Sequence, residues 1–287
     1  MKIVKYFLQF TIIIFIFLIF KILGYKKSSD FGAYIFSKFG HLFRSKEIIN
    51  KNLQNIDLNK TNYNNKNIIN SIWANYGRIF ADYVSIKDFR KNNLAKFITV
   101  EGIDVLKKIK SENKPVVFIS GHFNNFELMA MIIEKNGINL SAIYRPLNNM
   151  FLNKVMERIR KKYICKNQIK KGVRGSREML KAFNSGSSIA IMIDQRVSEG
   201  SKIPFFNKIA LTTTIPAQLV KRFNCKIIPV HIERYKNYYF KATFSNPFEF
   251  SNTNNLDEIT LQLNSWLEKV ILKNPTQWIW THKRWKL

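Results

Sequence analysis

Apolar runs that alternate with amphipathic patterns divide most of the chain into predicted strands and helices. Short runs rich in β-branched residues, bounded by Gly, Pro or Asn, predict buried strands. Longer stretches with apolar residues three or four positions apart predict helices. The predicted strands cover residues 97–100, 116–119, 140–144, 187–193, 226–232 and 238–244, and the main predicted helices cover residues 31–43, 67–83, 127–135, 151–162, 175–184 and 256–272. This alternation predicts an α/β fold with a mostly parallel central sheet flanked by helices.

The amino-terminal segment is apolar over residues 6–20, with only Gln9 and Thr11 as polar interruptions. Its length approaches the roughly 20 residues that a membrane-spanning helix needs. It lacks a small-residue cleavage site, which favours an uncleaved anchor that is either transmembrane or interfacial. We therefore expect an N-terminal membrane anchor helix over residues 1–25, followed by one domain over residues 26–287. The basic residues after the segment outnumber those before it, which favours a cytoplasmic location for the domain.

The charge of the chain favours acidic partners. It contains 47 Lys and Arg against 19 Asp and Glu, a formal net charge of +28. An anionic membrane, a phosphorylated substrate or an acidic carrier protein would suit such a surface. A nucleic-acid partner has no further support, because the sequence lacks zinc-finger spacing, a basic region with heptads and an RNA-binding aromatic motif. We expect no nucleic-acid partner.

Motifs for metal or nucleotide chemistry are also missing from the sequence. The two cysteines, Cys165 and Cys225, are far apart and suit a reducing compartment rather than a disulfide framework. There is no phosphate-binding loop, dinucleotide fingerprint, nucleophile elbow or metalloprotease helix. We therefore expect no metal site and no cofactor.

One histidine follows a predicted buried strand directly. Residues 116–119 lead into Ser120-Gly121-His122, and Glu127 falls in the first turn of the next predicted helix, with Asn124 or Asn125 as its N-cap. Open α/β sheets bind ligands beyond the carboxyl ends of their strands. A carboxylate that holds an imidazole in one tautomer allows the ring to take a proton from a hydroxyl. The alternative is a satisfied polar histidine and a glutamate that only serves the helix dipole.

Several motifs in order resemble one protein family. They are Trp73-Ala74-Asn75-Tyr76-Gly77-Arg78, the block from Gly121-His122 to Glu127, Tyr144-Arg145-Pro146 with Asn148-Asn149, Asp194-Gln195, Pro204-Phe205-Phe206 and the Trp-rich tail. Together they resemble the bacterial lipid A biosynthesis acyltransferases, the lauroyl and myristoyl transferases of the lysophospholipid acyltransferase superfamily. The resemblance extends over almost the whole chain. The sequence departs from the family pattern at Phe126, often tryptophan there, at Asn124, often glycine, and at Asp82, often glutamate.

The resemblance implies a glycerolphosphate-acyltransferase-like fold and an acyltransferase of lipid A and lipopolysaccharide biosynthesis. The acyl donor would be an acyl carrier protein thioester, and the acceptor a hydroxyl of a phosphorylated lipid A precursor at the bacterial inner membrane. The resemblance further implies that His122 is the general base and that Glu127 orients it. It implies that Arg160 and Asp194 match positions of the family's substrate site, and Arg145 and Arg158 are close enough in sequence to help bind a phosphorylated substrate. The alternatives are a solvated charge for any single arginine and, for Asp194, a structural carboxylate that anchors one of the arginines.

Other functions remain open on the sequence alone. A related membrane acyltransferase could act on a lysophospholipid or another glycolipid, and a non-catalytic membrane-anchored lipid-binding protein could retain the fold. The aromatic tail is equally ambiguous. Trp278, Trp280 and Trp285 could form a membrane-interface belt or could pack over the sheet, and Phe205 and Phe206 could guide acyl chains or rest on lipid.

Overall fold

The computed structural model describes residues 2–42, 46–57, 68–251 and 253–287. Phe43 and Asn67, the last and first residues of two predicted helices, lie outside these residues, as does Arg44, one of the basic residues after the apolar segment. The helices are α1 (Lys2–Phe39), α2 (Lys46–Leu53), α3 (Ile68–Arg90), α4 (Ile103–Glu112), α5 (Glu127–Lys135), α6 (Met150–Ile159), α7 (Val173–Asn184), α8 (Ile215–Phe223) and α9 (Leu256–Lys273). The strands are β1 (Ile98–Glu101), β2 (Val117–Ser120), β3 (Leu140–Tyr144), β4 (Asn167–Lys170), β5 (Ser188–Met192), β6 (Ser201–Phe205), β7 (Lys208–Thr212), β8 (Ile227–Tyr235) and β9 (Tyr239–Phe244).

Seven strands form the central sheet in the order β1-β9-β8-β2-β5-β3-β4. The neighbours of β2 and β3 all pair with them in parallel, and β8 and β9 form the antiparallel pair. This confirms the predicted α/β fold with a mostly parallel sheet. Strands β6 and β7 form a separate antiparallel hairpin, which the sequence patterns did not predict; nor did they predict β4 or α2.

The central strand β2 shows why the sheet is covered on both faces. All four of its residues are buried. Val117 and Ile119 pack in one apolar cluster with residues of α7, α8 and α9, whereas Phe118 packs in a second cluster with residues of α4 and α5. A strand buried on both faces is expected to be continuously apolar, as β2 is. The sheet therefore provides a rigid support for the loops at its carboxyl edge.

Helix α1 bends at Gly24, where φ is 72° and ψ is 173°. Such a positive φ is disfavoured for residues with a side chain, so glycine suits this position. The part before the bend is the apolar segment. The part after it packs against α3 so closely that Gly32 and Gly77 meet backbone to backbone: a Cβ atom added to Gly77 would lie 2.0 Å from the Gly32 carbonyl oxygen.

This close approach leads to a stability prediction. A Gly77→Ala substitution should force α1 and α3 apart and destabilise the protein by about 1–3 kcal/mol, as overpacking of a close contact does. Urea or thermal unfolding of the purified full-length chain measures the change. Ser71→Ala, at an exposed position of the same helix, is the matched control and should be nearly neutral. Equal unfolding midpoints for the two variants would contradict the close packing of α1 on α3.

Candidate active site

The polar residues of the site lie beyond the carboxyl ends of three neighbouring strands. His122 follows β2, Asp194 follows β5 and Arg145 follows β3, and these strands are adjacent in the order β2-β5-β3. In a parallel sheet the carboxyl ends of adjacent strands lie at one edge, where α/β folds bind their ligands. The strand order therefore brings together residues that are far apart in sequence.

The partner of the His122 ring is Asp194. The ring Nδ1 lies 2.7 Å from Asp194 Oδ1, and the backbone N–H of His122 donates to Asp194 Oδ2 at 2.8 Å. An ionised carboxylate only accepts hydrogen bonds, so Nδ1 carries the proton that it donates. In the neutral ring Nε2 is then the unprotonated nitrogen. The His122 side chain is 20% exposed and lines a cavity, so this basic atom belongs to an accessible residue.

Asp194 is fixed by several donors. Its side chain is fully buried, and the indole N–H of Trp278 donates to its Oδ2 at 2.8 Å. Burial alone would raise the pKa of this carboxyl group, but the charge and hydrogen bonds of His122, together with the nearby His282, lower it. Asp194 is therefore ionised at neutral pH, and its charge would stabilise the imidazolium form of His122.

The expected pairing of Glu127 with His122 is wrong. Glu127 Oε1 instead accepts hydrogen bonds from Arg160 Nε at 2.8 Å and Nη2 at 2.6 Å, and from the Tyr83 hydroxyl at 3.2 Å. The reason is that α5 begins at Glu127 and directs this carboxylate towards α3 and the turn after α6. A guanidinium in a buried setting is a stronger partner for a carboxylate than a neutral imidazole is.

The buried pair of Glu127 and Arg160 forms part of the cavity wall. Both side chains are 10% exposed. Burial alone would lower the pKa of Arg160, but the charge of Glu127 outweighs burial and raises it. Tyr83 remains a neutral donor, because burial and the Glu127 charge raise its pKa. The Nη1 atom of Arg160 has no hydrogen-bond partner among the described residues, so the guanidinium keeps donor capacity beside the cavity.

The cavity has a volume of about 710 Å³, and its wall includes Glu127, Arg160 and the His122 ring, whereas Asp194 lies behind the wall. Of the residues predicted to bind substrate, Arg145 and Arg160 line it. Arg158 is exposed on α6 and does not belong to the described wall, so the structure does not bring it into the site. Asp194 accepts from His122 and Trp278, so the alternative that it anchors one of the arginines is wrong.

Sequence reasoning missed Lys171, which lines the cavity near Arg145. Desolvation and the positive charge of Arg145 lower the pKa of Lys171. Lys171 follows directly after β4, the short strand that the apolar pattern did not predict. Had the strand been predicted, a basic residue at its carboxyl end would have indicated a site residue.

The loop between His122 and α5 differs from the prediction as well. Neither Asn124 nor Asn125 caps α5 with its side chain. Asn124 has a φ of 45°, in the left-handed region that glycine and then asparagine tolerate best. This explains why asparagine is acceptable where the resembling family often has glycine. The Asn124 amide donates to the Ile232 carbonyl oxygen at 3.0 Å and to Gln277 Oε1 at 2.6 Å, which ties the loop to the carboxyl-terminal tail.

The aromatic tail closes the core. Trp278 and Trp280 are fully buried, as is Phe205. The Trp285 ring stacks on Phe205 with centroids 5.5 Å apart, and its indole N–H donates to the Phe205 carbonyl oxygen at 3.0 Å. The interpretation of the tail as a membrane-interface belt is therefore wrong, and Phe205 does not rest on lipid. Trp278 connects this packing to the site through its hydrogen bond to Asp194.

The residues that the structure describes contain no evident metal centre but do contain a potential membrane segment. In those residues no group of three or more His, Cys, Asp or Glu is placed to hold a metal ion. One helical region, Lys2–Leu42, is long and apolar enough to cross a membrane. Its position at the amino terminus, with its apolar side chains mostly exposed, suggests membrane anchoring.

The fold and the site define an α/β protein with a long apolar N-terminal helix and a histidine–aspartate pair whose imidazole lines a cavity at the edge of a mostly parallel sheet. The chain belongs to the bacterial lipid A biosynthesis acyltransferase family, whose sequence model matches residues 1–287. It is 26% identical over 200 residues to the lipid A biosynthesis palmitoleoyltransferase of Escherichia coli (strain K12) and, equally, to the lipid A biosynthesis acyltransferase of Shigella flexneri. It is 28% identical over 200 residues to the lipid A biosynthesis acyltransferase of Haemophilus influenzae.

The matches with these three relatives are partial. Each covers 68% of this chain and 62% or 63% of the relative. The family of the chain therefore follows from the match along its whole length, whereas its reaction and substrates have to be argued from its own site.

Proposed function

We propose that this protein transfers a fatty acyl chain from an acyl carrier protein thioester to a hydroxyl of a phosphorylated lipid A precursor. The observation that carries the proposal is the hydrogen-bonded His122–Asp194 pair, whose imidazole lines a cavity at the carboxyl edge of the sheet. The relatives, a lipid A biosynthesis palmitoleoyltransferase and lipid A biosynthesis acyltransferases, support the same reaction class.

In the proposed mechanism His122 is the general base. Its Nε2 takes the proton of the acceptor hydroxyl as the oxygen attacks the thioester carbon, and Asp194 stabilises the resulting imidazolium. The tetrahedral intermediate then collapses with cleavage of the carbon–sulfur bond. The imidazolium returns its proton to the departing thiolate, which leaves an ester on the acceptor and a free thiol on the carrier.

The charge of the chain supports the proposed partners. Acyl carrier proteins are acidic, and a surface with a net charge of +28 favours their encounter. A carrier thioester is a cytoplasmic metabolite, so the domain has to face the cytoplasm to use it. The basic residues after the apolar segment favour the same location for the domain. We therefore place the domain on the cytoplasmic face of the inner membrane, in contact with anionic lipid.

The deciding experiment uses the purified full-length chain. It is incubated with acyl carrier thioesters of several chain lengths and a tetraacylated lipid A precursor, and the mass of the product lipid is determined by mass spectrometry. A product heavier by one acyl group supports the proposal. Preferential acylation of a lysophospholipid would refute the proposal and favour a related membrane acyltransferase with another acceptor. An absence of thioester consumption would favour a non-catalytic lipid-binding protein.

A further prediction concerns the acceptor phosphate. Arg145 and Lys171 crowd two positive charges at the cavity wall, and a phosphate there would relieve their repulsion. Lys171→Met should raise the KM for the acceptor by about tenfold to a hundredfold, the value of a charge-assisted hydrogen bond, with a smaller effect on kcat. Steady-state kinetics at saturating carrier thioester measure both constants.

Arg158→Met is the matched control, because Arg158 is exposed outside the cavity wall. It should leave the KM nearly unchanged. The effect of Lys171→Met should also shrink when the acceptor lacks the phosphate. An equal KM increase for phosphorylated and dephosphorylated acceptors would refute a phosphate contact by Lys171.

A further inference from the structure

We propose that the apolar part of α1 lies flat in the membrane interface along the side of the domain, and that the mouth of the cavity opens towards this lipid. The occupant of the exposed apolar surface is thus a bilayer rich in anionic phospholipid. The orientation of the helix follows from the contacts below. The passage of a lipid acceptor from the bilayer into the cavity rests, in addition, on the proposed function.

The apolar part of α1 has two different faces. Tyr6, Phe10, Ile13, Phe17 and Phe20 recur every three or four residues and are at least partly buried against the domain. The opposite face is also apolar but has no protein cover. Its side chains are between 56% and 85% exposed: Val4, Leu8, Ile12, Phe15, Leu18 and Ile22. A continuous apolar surface of this kind needs an apolar environment, and a membrane provides one.

The contacts of α1 run along its length. Near its start, Phe7 and Phe10 contact Phe151 at ring-centroid distances of 5.6 and 5.9 Å. Further along, Phe17 and Phe20 contact Phe80 at 4.9 and 6.0 Å. The Asn149 amide also donates to the Tyr6 carbonyl oxygen at 2.8 Å. From Tyr6 to Phe20 a helix rises about 21 Å, so the domain accompanies α1 over most of a membrane thickness.

A helix perpendicular to the bilayer would carry this side of the domain into the hydrocarbon. The start of α6 and the loop before it would enter with it, including the exposed charges of Arg145 and Lys154. Charged side chains in the hydrocarbon are strongly disfavoured. A helix in the plane of the interface avoids this, because its exposed face meets the acyl chains while the domain remains in water. The basic residues Lys2, Lys5 and Lys21 would then all reach anionic headgroups.

The same contacts place α1 beside the mouth of the cavity. Ile79 and Tyr83 line the cavity on α3, and Phe80 between them contacts α1. Leu147 and Asn148 also line it, and the next residue, Asn149, bonds to α1. Leu147 and Met150 are 41% and 49% exposed. They extend the apolar surface of α1 to the rim of the cavity, which gives acyl chains a continuous apolar path.

The orientation is tested by the depth of single labels. The full-length chain, with Cys225→Ser and the fully buried Cys165 retained, is reconstituted in phosphatidylethanolamine–phosphatidylglycerol vesicles. A fluorophore is attached at Val4→Cys, Ile12→Cys or Leu18→Cys, and quenching by shallow and deep spin-labelled lipids is compared. We expect three similar, shallow depths. An Ile12 label that is much deeper than the other two would overturn the proposal in favour of a spanning helix.

The entry route is tested by activity. Met150→Asp, at an exposed position outside the described cavity wall, should lower turnover of an acceptor embedded in vesicles by about tenfold or more, since its charge faces lipid. Turnover of the same acceptor in detergent micelles should be retained. Leu261→Asp on α9, at a position with a similar exposure of 41%, should change neither. Equal loss in vesicles and micelles, or no loss in either, would refute lipid-side entry. Because the depth measurement does not need activity, failure of the proposed reaction remains distinguishable from failure of the orientation.

Discussion

We expect His122→Ala to lower turnover by about 10²–10⁴-fold, the usual contribution of a general base. The reason is geometric, because Nε2 of His122 is the basic atom that Asp194 leaves free at the cavity. The substitution should leave the fold intact. The His122 side chain is 20% exposed, and its ring contacts Phe126 at 4.7 Å without belonging to the main core clusters. Initial rates with a carrier thioester and the lipid acceptor measure the loss of turnover, and thermal unfolding shows whether the fold is retained.

The matched control is His41→Ala, because His41 is exposed and lies away from the cavity wall. It should retain native turnover. If His122→Ala retained native turnover with the true donor and acceptor, His122 could not be the general base. If it lost activity and stability together, the loss would have to be attributed to folding, which the parallel unfolding measurement reveals.

The sequence patterns predicted the parts of the fold that local chemistry determines. The continuous apolar run of β2 predicted a buried strand, and the helical stripe of α9 predicted a helix close to its observed bounds. The stripe of α3 predicted the start of that helix but not its end, because the helix continues seven residues beyond Tyr83 to Arg90. The hairpin of β6 and β7 was missed because its burial alternates only in part and Pro204 interrupts the strand pattern. Strand β4 was missed because three of its four residues are polar.

The pairing within the site could not be predicted from spacing. Glu127 is five residues from His122, which made it the obvious partner, but Asp194 is 72 residues away. Only the strand order shows that β2 and β5 are neighbours and that their carboxyl ends meet. The tail posed the same difficulty, because tryptophans among basic residues suit either lipid or protein. The satisfied indole N–H groups of Trp278 and Trp285 show that here they pack against protein.

We expect Asp194→Asn to impair the chemical step. The amide carries no charge and can donate to Nδ1, so the ring would adopt the other tautomer and lose the free base at Nε2. A loss in kcat on the order of 10⁴-fold is expected by analogy with other imidazole–carboxylate pairs. The acceptor KM should change much less, because Asp194 is fully buried and outside the described cavity wall. Native kcat in this variant would exclude Asp194 as the orienting group.

Glu127→Gln should act differently, because it leaves the buried guanidinium of Arg160 without its counter-charge. Removal of one partner from a buried pair costs about 3–5 kcal/mol, so the free energy of unfolding should fall by that order. The double variant Glu127→Gln/Arg160→Met removes both charges and should recover much of this stability. It should also recover kcat at saturating acceptor if the role of Glu127 is only to neutralise the buried charge of Arg160. A double variant that is stable yet still lacks turnover would instead show that Glu127 or Arg160 takes part in the chemical step.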